Sequence, residues 1–311
     1  MKISVIGAGN VGGLTAMRLL ELGLADIVLV DITKGLACGK SLDMQDAGSA
    51  LKYNYRINAS EDINAIKDSD IIVMTAGFAR KPGMSREDLL NKNAQVLKDV
   101  CLTIKNIAPK SILIVVTNPL DLMTYLALKV TGFKPNRVFG MGVSLDAARF
   151  SNQISRELNI PNADIEACVI GSHGEAMLPL PRFTTIKGIK LTEMLDEEKA
   201  VSLVKKTHLR GQEIVSLLGS GSAYFAPSQA ITNIVKTVIK DEKRLIGVCS
   251  YLNGEYKTRD ICVGVPCRLG REGVENIVEL DLNKEEMASF QESVESIRKN
   301  IKLIEPFWHG L

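Results

Sequence analysis

The sequence predicts a doubly wound, parallel α/β sheet over its first half, followed by an α+β domain. Three observations carry this. Short, continuously apolar runs alternate with helical stretches up to about residue 142. A glycine-rich turn joins the first apolar run to the first helix. Beyond residue 142 the pattern changes to mixed strands and charged helices. Apolar strands alternating with helices bury both faces of a parallel sheet, which requires helical cover on each side.

The elements follow in order. Ile3–Ile6 is a short apolar strand, and Val11–Leu22 has helical apolar spacing that stops at Gly23. Ile27–Val30, Ile71–Met74 and Ile112–Val116 are further strands rich in branched residues, each followed by a turn and a helical stretch. In the second half, Ser144–Leu158 reads as a helix with Ser144 as its N-cap. Strand segments run from Ile165 to Ile186, and a charged helix covers Leu195–Leu218. Short strands return between Leu245 and Leu280, and a helix begins near Lys284. No repeat, low-complexity stretch or Pro/Gly/Ser linker separates the halves. The expected domains are 1–142 and 143–311, packed together with a site in the cleft between them.

Composition removes several function classes. The chain has 311 residues, 46% of them apolar, and a net charge of +2, so two cores are possible and no nucleic-acid footprint is expected. No stretch of about twenty apolar residues exists, so no membrane span is expected. The opening Met-Lys-Ile-Ser-Val-Ile-Gly reads as a strand entering a turn, not as a secretory signal. Six scattered cysteines without a Cys-x-x-Cys, and only three histidines, argue against zinc and for a reducing cytoplasm.

The first functional signal is Gly7-Ala8-Gly9-Asn10-Val11-Gly12, at the junction of the first strand and helix. Glycines there allow a tight turn, close approach of a pyrophosphate and close helix packing, with the helix N-terminus facing the anion. Asp31 ends the next strand nineteen residues after Gly12. A carboxylate at that place accepts from the adenosine ribose hydroxyls and repels the extra phosphate of NADP, so NAD is the expected cofactor.

Four further segments lie where strands or turns end. Thr75–Asp88 carries Arg80 and Arg86 between Gly77, Pro82 and Gly83; alone it reads as a solvated basic loop. Asn118 precedes Pro119 and is held extended at a strand end; alone it reads as a turn residue. Asp146 and Arg149 share a helix face; alone they read as a surface ion pair. His173 lies among small residues in Gly171-Ser-His-Gly-Glu175, a poor setting for core packing. His208 and His309 lack such a setting.

Taken together, the four make a chemically coherent set. Moving a hydride to or from a carbon bearing oxygen needs a proton donor or acceptor, and His173 suits neutral pH. Its imidazolium needs a carboxylate, which Asp146 supplies. Arg149 can grip a substrate carboxylate with two bonds. Arg86, brought in by a loop, can polarise the carbonyl.

At this point the sequence resembles the lactate/malate dehydrogenase superfamily, most closely the lactate-dehydrogenase-like malate dehydrogenases. The resemblance spans nearly the whole chain and rests on five motifs in the family's order: Gly7–Gly12, Arg80–Arg86, Thr117-Asn118-Pro119, Asp146–Arg149 and the His173 loop. It implies a Rossmann-type first domain and an α+β substrate domain. It implies His173 as acid/base with Asp146 as partner, Arg149 on the shared carboxylate, and Arg86 on the carbonyl. It also implies that Asn118 bonds the reacting oxygen, that Arg80 reads the distal group, and that Asn93 contacts the cofactor. The backbone at Val116, Thr117 and Asn118 is expected at the nicotinamide end. Relatives are dimers or tetramers, so a homo-oligomer is expected. The sequence departs from the family at Glu175, where Asp is usual, and at Ser151, where a basic residue is usual.

The expected substrate pair is malate and oxaloacetate. Each carries two carboxylates, and a second anion in a dry cleft needs its own cation. Arg80 provides it where lactate enzymes have a neutral residue. Rival readings are a dehydrogenase of lactate or a branched 2-oxo acid, an NAD-binding redox sensor without catalysis, and a scaffold. The presence of His173, Asp146, Arg149 and Arg86 together argues against the last two.

Overall fold

The computed structural model describes residues 1–78 and 85–310, and of Arg86 its main chain. The first half runs β1 (Lys2–Ile6), α1 (Asn10–Leu22), β2 (Asp26–Val30), α2 (Leu36–Ala50), β3 (Ile57–Ser60), β4 (Ile71–Met74), α3 (Arg86–Ile107), β5 (Ile112–Val115), α4 (Leu120–Thr131) and β6 (Val138–Gly140). Its strands pair in parallel in the order β3-β2-β1-β4-β5-β6. β4 and β5 are buried at every position, as their unbroken apolar sequences require when helices cover both faces. The order reverses direction between β1 and β4. Chains leaving these two strands turn to opposite faces there and open a crevice at their carboxyl ends.

The second half runs α5 (Val143–Leu158), β7 (Ile165–Glu166), β8 (Val169–Gly171), β9 (Met177–Pro179), β10 (Thr185–Ile186), β11 (Ile189–Lys190), α6 (Leu191–Met194), α7 (Glu197–Leu218), α8 (Phe225–Lys240), β12 (Arg244–Asn253), β13 (Arg259–Gly270), β14 (Gly273–Ile277) and α9 (Lys284–Ile304). It is not a detached unit. β12 runs antiparallel beside β6, pairing at Cys249 and Gly140, so one sheet passes from the first half into the second. The site therefore forms across a continuous scaffold.

Several boundaries differ from the sequence reading. The helix expected from Ser144 begins at Val143 with Gly142 as its N-cap; the Ser144 hydroxyl instead donates to the Met141 carbonyl at 2.9 Å. The charged helix starts at Glu197, two residues later than expected, because the Asp196 side chain accepts from the Lys199 N–H and caps it. Arg86, expected within a loop, is the first residue of α3. Ser85 and Asp88 form a reciprocal capping box that starts the helix there. Elements absent from the sequence reading include α8. Its run Ile231, Thr232, Ile234, Val235, Thr237, Val238 is β-branched, which favours strand locally. Packing of Ile231, Ile234, Val235 and Val238 into the core makes it helical.

The closing helix also serves the site. Ser293 of α9 is buried, its hydroxyl accepting from the Ser172 N–H at 2.6 Å and donating to the Ala176 carbonyl at 2.9 Å. It thus holds both sides of the loop between β8 and β9. Ser293→Ala leaves a buried donor and acceptor unpaired, so stability should fall by about 1–3 kcal/mol. Urea unfolding followed by circular dichroism checks this, and an unchanged midpoint would contradict the anchor.

Candidate active site

The cofactor end is built from the turn after β1. An added Cβ at Gly12 would overlap the Gly7 carbonyl, and one at Gly7, where φ is +100°, would lie 2.7 Å from the Ala76 nitrogen. Only glycine allows the turn to close against β4. By contrast, a Cβ at Gly9 would meet nothing within 4 Å, so the outer side of the turn is open. Helix α1 starts here with Gly9 as N-cap, no side-chain cap and no acidic residue in its first turn. Its N-terminal N–H groups and its positive dipole end are therefore presented to that open side.

Asp31 follows β2 directly. One carboxylate oxygen accepts from the Ala8 N–H at 2.6 Å and the other from the Thr33 N–H at 2.8 Å. Burial pushes its carboxyl up, but these two N–H groups outweigh that, with Lys40 adding, and hold it below its ordinary value. The group is thus a fixed anion beside the glycine turn. Ile32 and Thr33 add no cation next to it.

The ends of β4 and β5 are tied together. Thr117 donates to the Ala76 carbonyl at 2.7 Å. Asn93 of α3 is buried; it accepts from the Phe78 N–H at 2.7 Å and donates to the Asn118 carbonyl at 2.7 Å. The structure therefore places Asn93 as a brace behind Phe78 and Asn118. Asn118 itself is exposed at the crevice, between the half-buried Val116 and the first turn of α4.

The reaction end centres on Asp146, in the first turn of α5 and 0% exposed. His173 Nδ1 lies 2.7 Å from one of its oxygens, and Arg149 Nη1 donates to the other at 3.1 Å. A carboxylate only accepts, so the imidazole proton sits on Nδ1 and Nε2 is left for exchange. The pair that alone reads as a surface contact is buried and shared. Arg149 retains further donors: its Nε is buried without a hydrogen-bond partner. Burial pushes the His173 imidazole down. The charge and hydrogen bond of Asp146, joined by Asp121, outweigh this against the opposition of Arg149 and hold it above its ordinary value. A side chain at Gly142, where φ is +30°, would overlap the Leu120 side chain, and Gly142 packs directly against His173.

Asp121 was not among the sequence candidates. It is 5% exposed in the first turn of α4, and one oxygen accepts from the Ser172 hydroxyl at 2.8 Å and the His173 N–H at 2.9 Å. Its only sequence signal is an acid two residues after Asn118-Pro119 in a mostly apolar helix. Arg80 lies outside the described residues. Two cavities of about 430 and 590 Å³ lie elsewhere, one at the amino-terminal edge of the strands beside Asp70 and Ile112, the other between α5 and α7. Neither is lined by His173 or Asp146.

Comparison with known proteins accords with this geometry. Residues 1–140 match the family described as lactate/malate dehydrogenase, NAD binding domain, and residues 143–308 its alpha/beta C-terminal domain. The chain belongs to the lactate/malate dehydrogenase family. It is 48% identical over 305 residues to a malate dehydrogenase of Methanosarcina mazei, covering 98% of this chain and 99% of that one. The apo malate dehydrogenase of Picrophilus torridus superposes with a TM-score of 0.94 at 40% identity, covering 99% and 98% of the two chains. The lactate dehydrogenase of Eimeria maxima, solved with NADH and oxamate, gives 0.95 at 34% identity, covering 98% and 94%.

The chain is thus an NAD-dependent oxidoreductase with a Rossmann-type first domain and a C-terminal α/β domain. The residues present fit NAD: an open-sided glycine turn, an uncapped helix N-terminus and a fixed carboxylate. NAD should be preferred over NADP, because the Asp31 anion opposes a 2′-phosphate. Asp31→Ser should narrow the gap without inverting it, since repulsion goes but no cation is added. NADH and NADPH fluorescence titrations check this; tighter NADPH binding by the unaltered protein would overturn it.

Proposed function

We propose that this chain is a malate dehydrogenase, interconverting (S)-malate and oxaloacetate with NAD, with His173 as acid/base. The observation that carries the reading is the buried Asp146 carboxylate, which joins a proton carrier to a substrate anchor. NAD supplies the two-electron acceptor. It would be held by the main chain of Gly7, Ala8, Gly9, Asn10, Val11 and Gly12, by Asp31, and at its nicotinamide end by Val116, Thr117 and Asn118, with Asn93 bracing that end.

During oxidation His173 Nε2 takes the substrate hydroxyl proton. Asp146 stabilises the imidazolium that results and keeps the ring in one tautomer. Arg149 grips the carboxylate beside the reacting carbon, for which its unpaired Nε and remaining N–H groups are available. Asn118 donates to the reacting oxygen and Arg86 polarises it. Arg80 pairs with the distal carboxylate, and this second anion is what separates malate from lactate.

The domain boundary that we infer lies between Gly142 and Val143, giving 1–142 and 143–311. The family matches end and restart at 140 and 143, which supports it. A homodimer or homotetramer is supported by Leu209, Val215, Leu217 and Leu218, all exposed along α7. A cytoplasmic location is supported by six unpaired cysteine thiols. No described helix is long and apolar enough to cross a membrane.

An NADH-oxidation assay across 2-oxo acids tests the function, and faster turnover of pyruvate than of oxaloacetate would overturn it. His173→Asn should lower turnover by roughly two to four orders of magnitude while NADH affinity holds. Asp146→Asn acts on the same step, so the double variant should be little worse than the poorer single one. The raised imidazole sets the sign of the pH dependence. Malate oxidation needs neutral His173 and fails as pH falls below its raised pKa; oxaloacetate reduction needs the imidazolium and fails above it. A malate-oxidation rate with no acid limb would contradict the assignment.

Arg80→Gln removes the distal cation while keeping a polar side chain. Losing one partner of a buried charged pair costs about 2–5 kcal/mol, so kcat/KM for oxaloacetate should fall by roughly one and a half to three and a half orders of magnitude. Pyruvate should be spared. Arg86→Gln should depress both substrates alike. Equal losses for both substrates with Arg80→Gln would remove Arg80 from the specificity argument.

A further inference from the structure

A second buried carboxylate lies beneath the proton carrier, and the reading above gives it no role. Among the described residues, Asp121 has no arginine or lysine in contact. One oxygen accepts from the Ser172 hydroxyl at 2.8 Å and the His173 N–H at 2.9 Å, and the Cys249 thiol is a third, weak neutral donor to the carboxylate. The other, Oδ1, is buried without a hydrogen-bond partner. Isolated buried anions are costly, and burial accordingly pushes this carboxyl up, only partly offset by its hydrogen bonds and by the attraction of His173. An arrangement so costly to bury stands out in a site where every other carboxylate is paired.

The groups around Asp121 come from several elements. Ser172 and His173 belong to the β8–β9 loop, Cys249 to β12 and Cys262 to β13, with Thr124 one turn along α4. Burial raises both thiols well above their ordinary value, so neither carries charge near neutrality. Asp146 and Arg149 of α5 reach it only through His173. Among the described residues, the one cation that can form in contact with Asp121 is therefore the imidazolium of His173.

We propose that Asp121 is a positioning residue for proton transfer, clamping the His173 main chain from beneath and supplying a second negative charge against which the imidazole takes up its proton. With His173 neutral, the described groups that touch it directly or through Asp146 are two carboxylates, Asp121 and Asp146, and one guanidinium, Arg149. With His173 protonated, the two charges of each sign balance. Asp146 alone would be balanced by Arg149 in the neutral state and would leave an uncompensated cation in the protonated one. Asp121 thus favours the protonated state against the opposition of burial and Arg149, as a group that must take up a proton in a buried site requires. It does so through its charge and its hold on the main chain, without touching the ring nitrogen that exchanges.

The inference rests on His173 being the acid/base, and its test is readable without turnover. Asp121→Asn keeps the shape and one accepting oxygen for Ser172 and His173 but removes the charge. In the apo protein the His173 Cε1–H resonance should titrate about one pH unit lower than in the unaltered chain. The acid limb of malate oxidation should move the same way, with kcat down by roughly tenfold and NADH affinity unchanged. Ser172→Ala removes a neutral donor and leaves the charge, so the His173 titration should stay in place. Should Asp121→Asn fail to fold, the unaltered protein decides: the His173 amide proton, bonded to the carboxylate, should move upfield on acidification as Asp121 gains its proton. An unmoved imidazole titration in Asp121→Asn, an equal shift in Ser172→Ala, or a His173 amide indifferent to pH overturns the proposal. None of these bears on whether the enzyme oxidises malate, which the substrate assay decides separately.

Discussion

Much of this site depends on one buried anion. Asp146 is fully enclosed, yet both of its oxygens are used, one by the His173 ring and the other by Arg149. A carboxylate is tolerable in such a place only when paired and hydrogen-bonded. Its two partners are accordingly fixed in position relative to each other. That relation is what a 2-hydroxy acid needs, since its carboxylate and its hydroxyl sit on adjacent carbons. Asp146 and Arg149 are not an exposed ion pair worth little, because their side chains are 0% and 13% exposed on the inward face of α5.

The scaffold serves this requirement through its connectivity. Strands β1, β2, β4 and β5 end on the same edge of a parallel sheet, so Gly7–Gly12, Asp31, Thr75 and Asn118 converge there although up to 111 residues separate them. The continuation of the sheet from β6 into β12 brings the second half against that edge. Asp121 then reaches from the first half to the loop that carries His173, and Ser293 of the last helix holds that loop from behind. His173 is held by residues from both halves, so their relative placement fixes where its ring lies.

Fold and substrate are separate questions here. A malate dehydrogenase and a lactate dehydrogenase superpose on this chain almost equally well, with TM-scores of 0.94 and 0.95. The scaffold by itself therefore does not choose between the two acids. What distinguishes the acids is the charge of one distal group, and one added cation is enough to meet it.

Much was legible from local pattern. The apolar runs, the glycine turn and the acid nineteen residues beyond it specify a dinucleotide fold because strand burial, turn geometry and helix dipoles are local consequences of residue type. His173, Asp146 and Arg149 were recognisable as chemistry in need of partners. The sequence did not display Asp121, because an acid in a helix's first turn is common and its meaning comes from Ser172 and His173, more than 50 residues away. Nor did it show α8, whose branched residues favour strand until α1 and β13 pack on them. Nor does it show that the Asn93 amide joins the Phe78 and Asn118 main chains, 15 and 25 residues away. Residue type and spacing determined which groups are present and which edge of the sheet they reach; burial and long-range hydrogen bonds, which exist only in the folded chain, decided which of them are charged, paired and free to act.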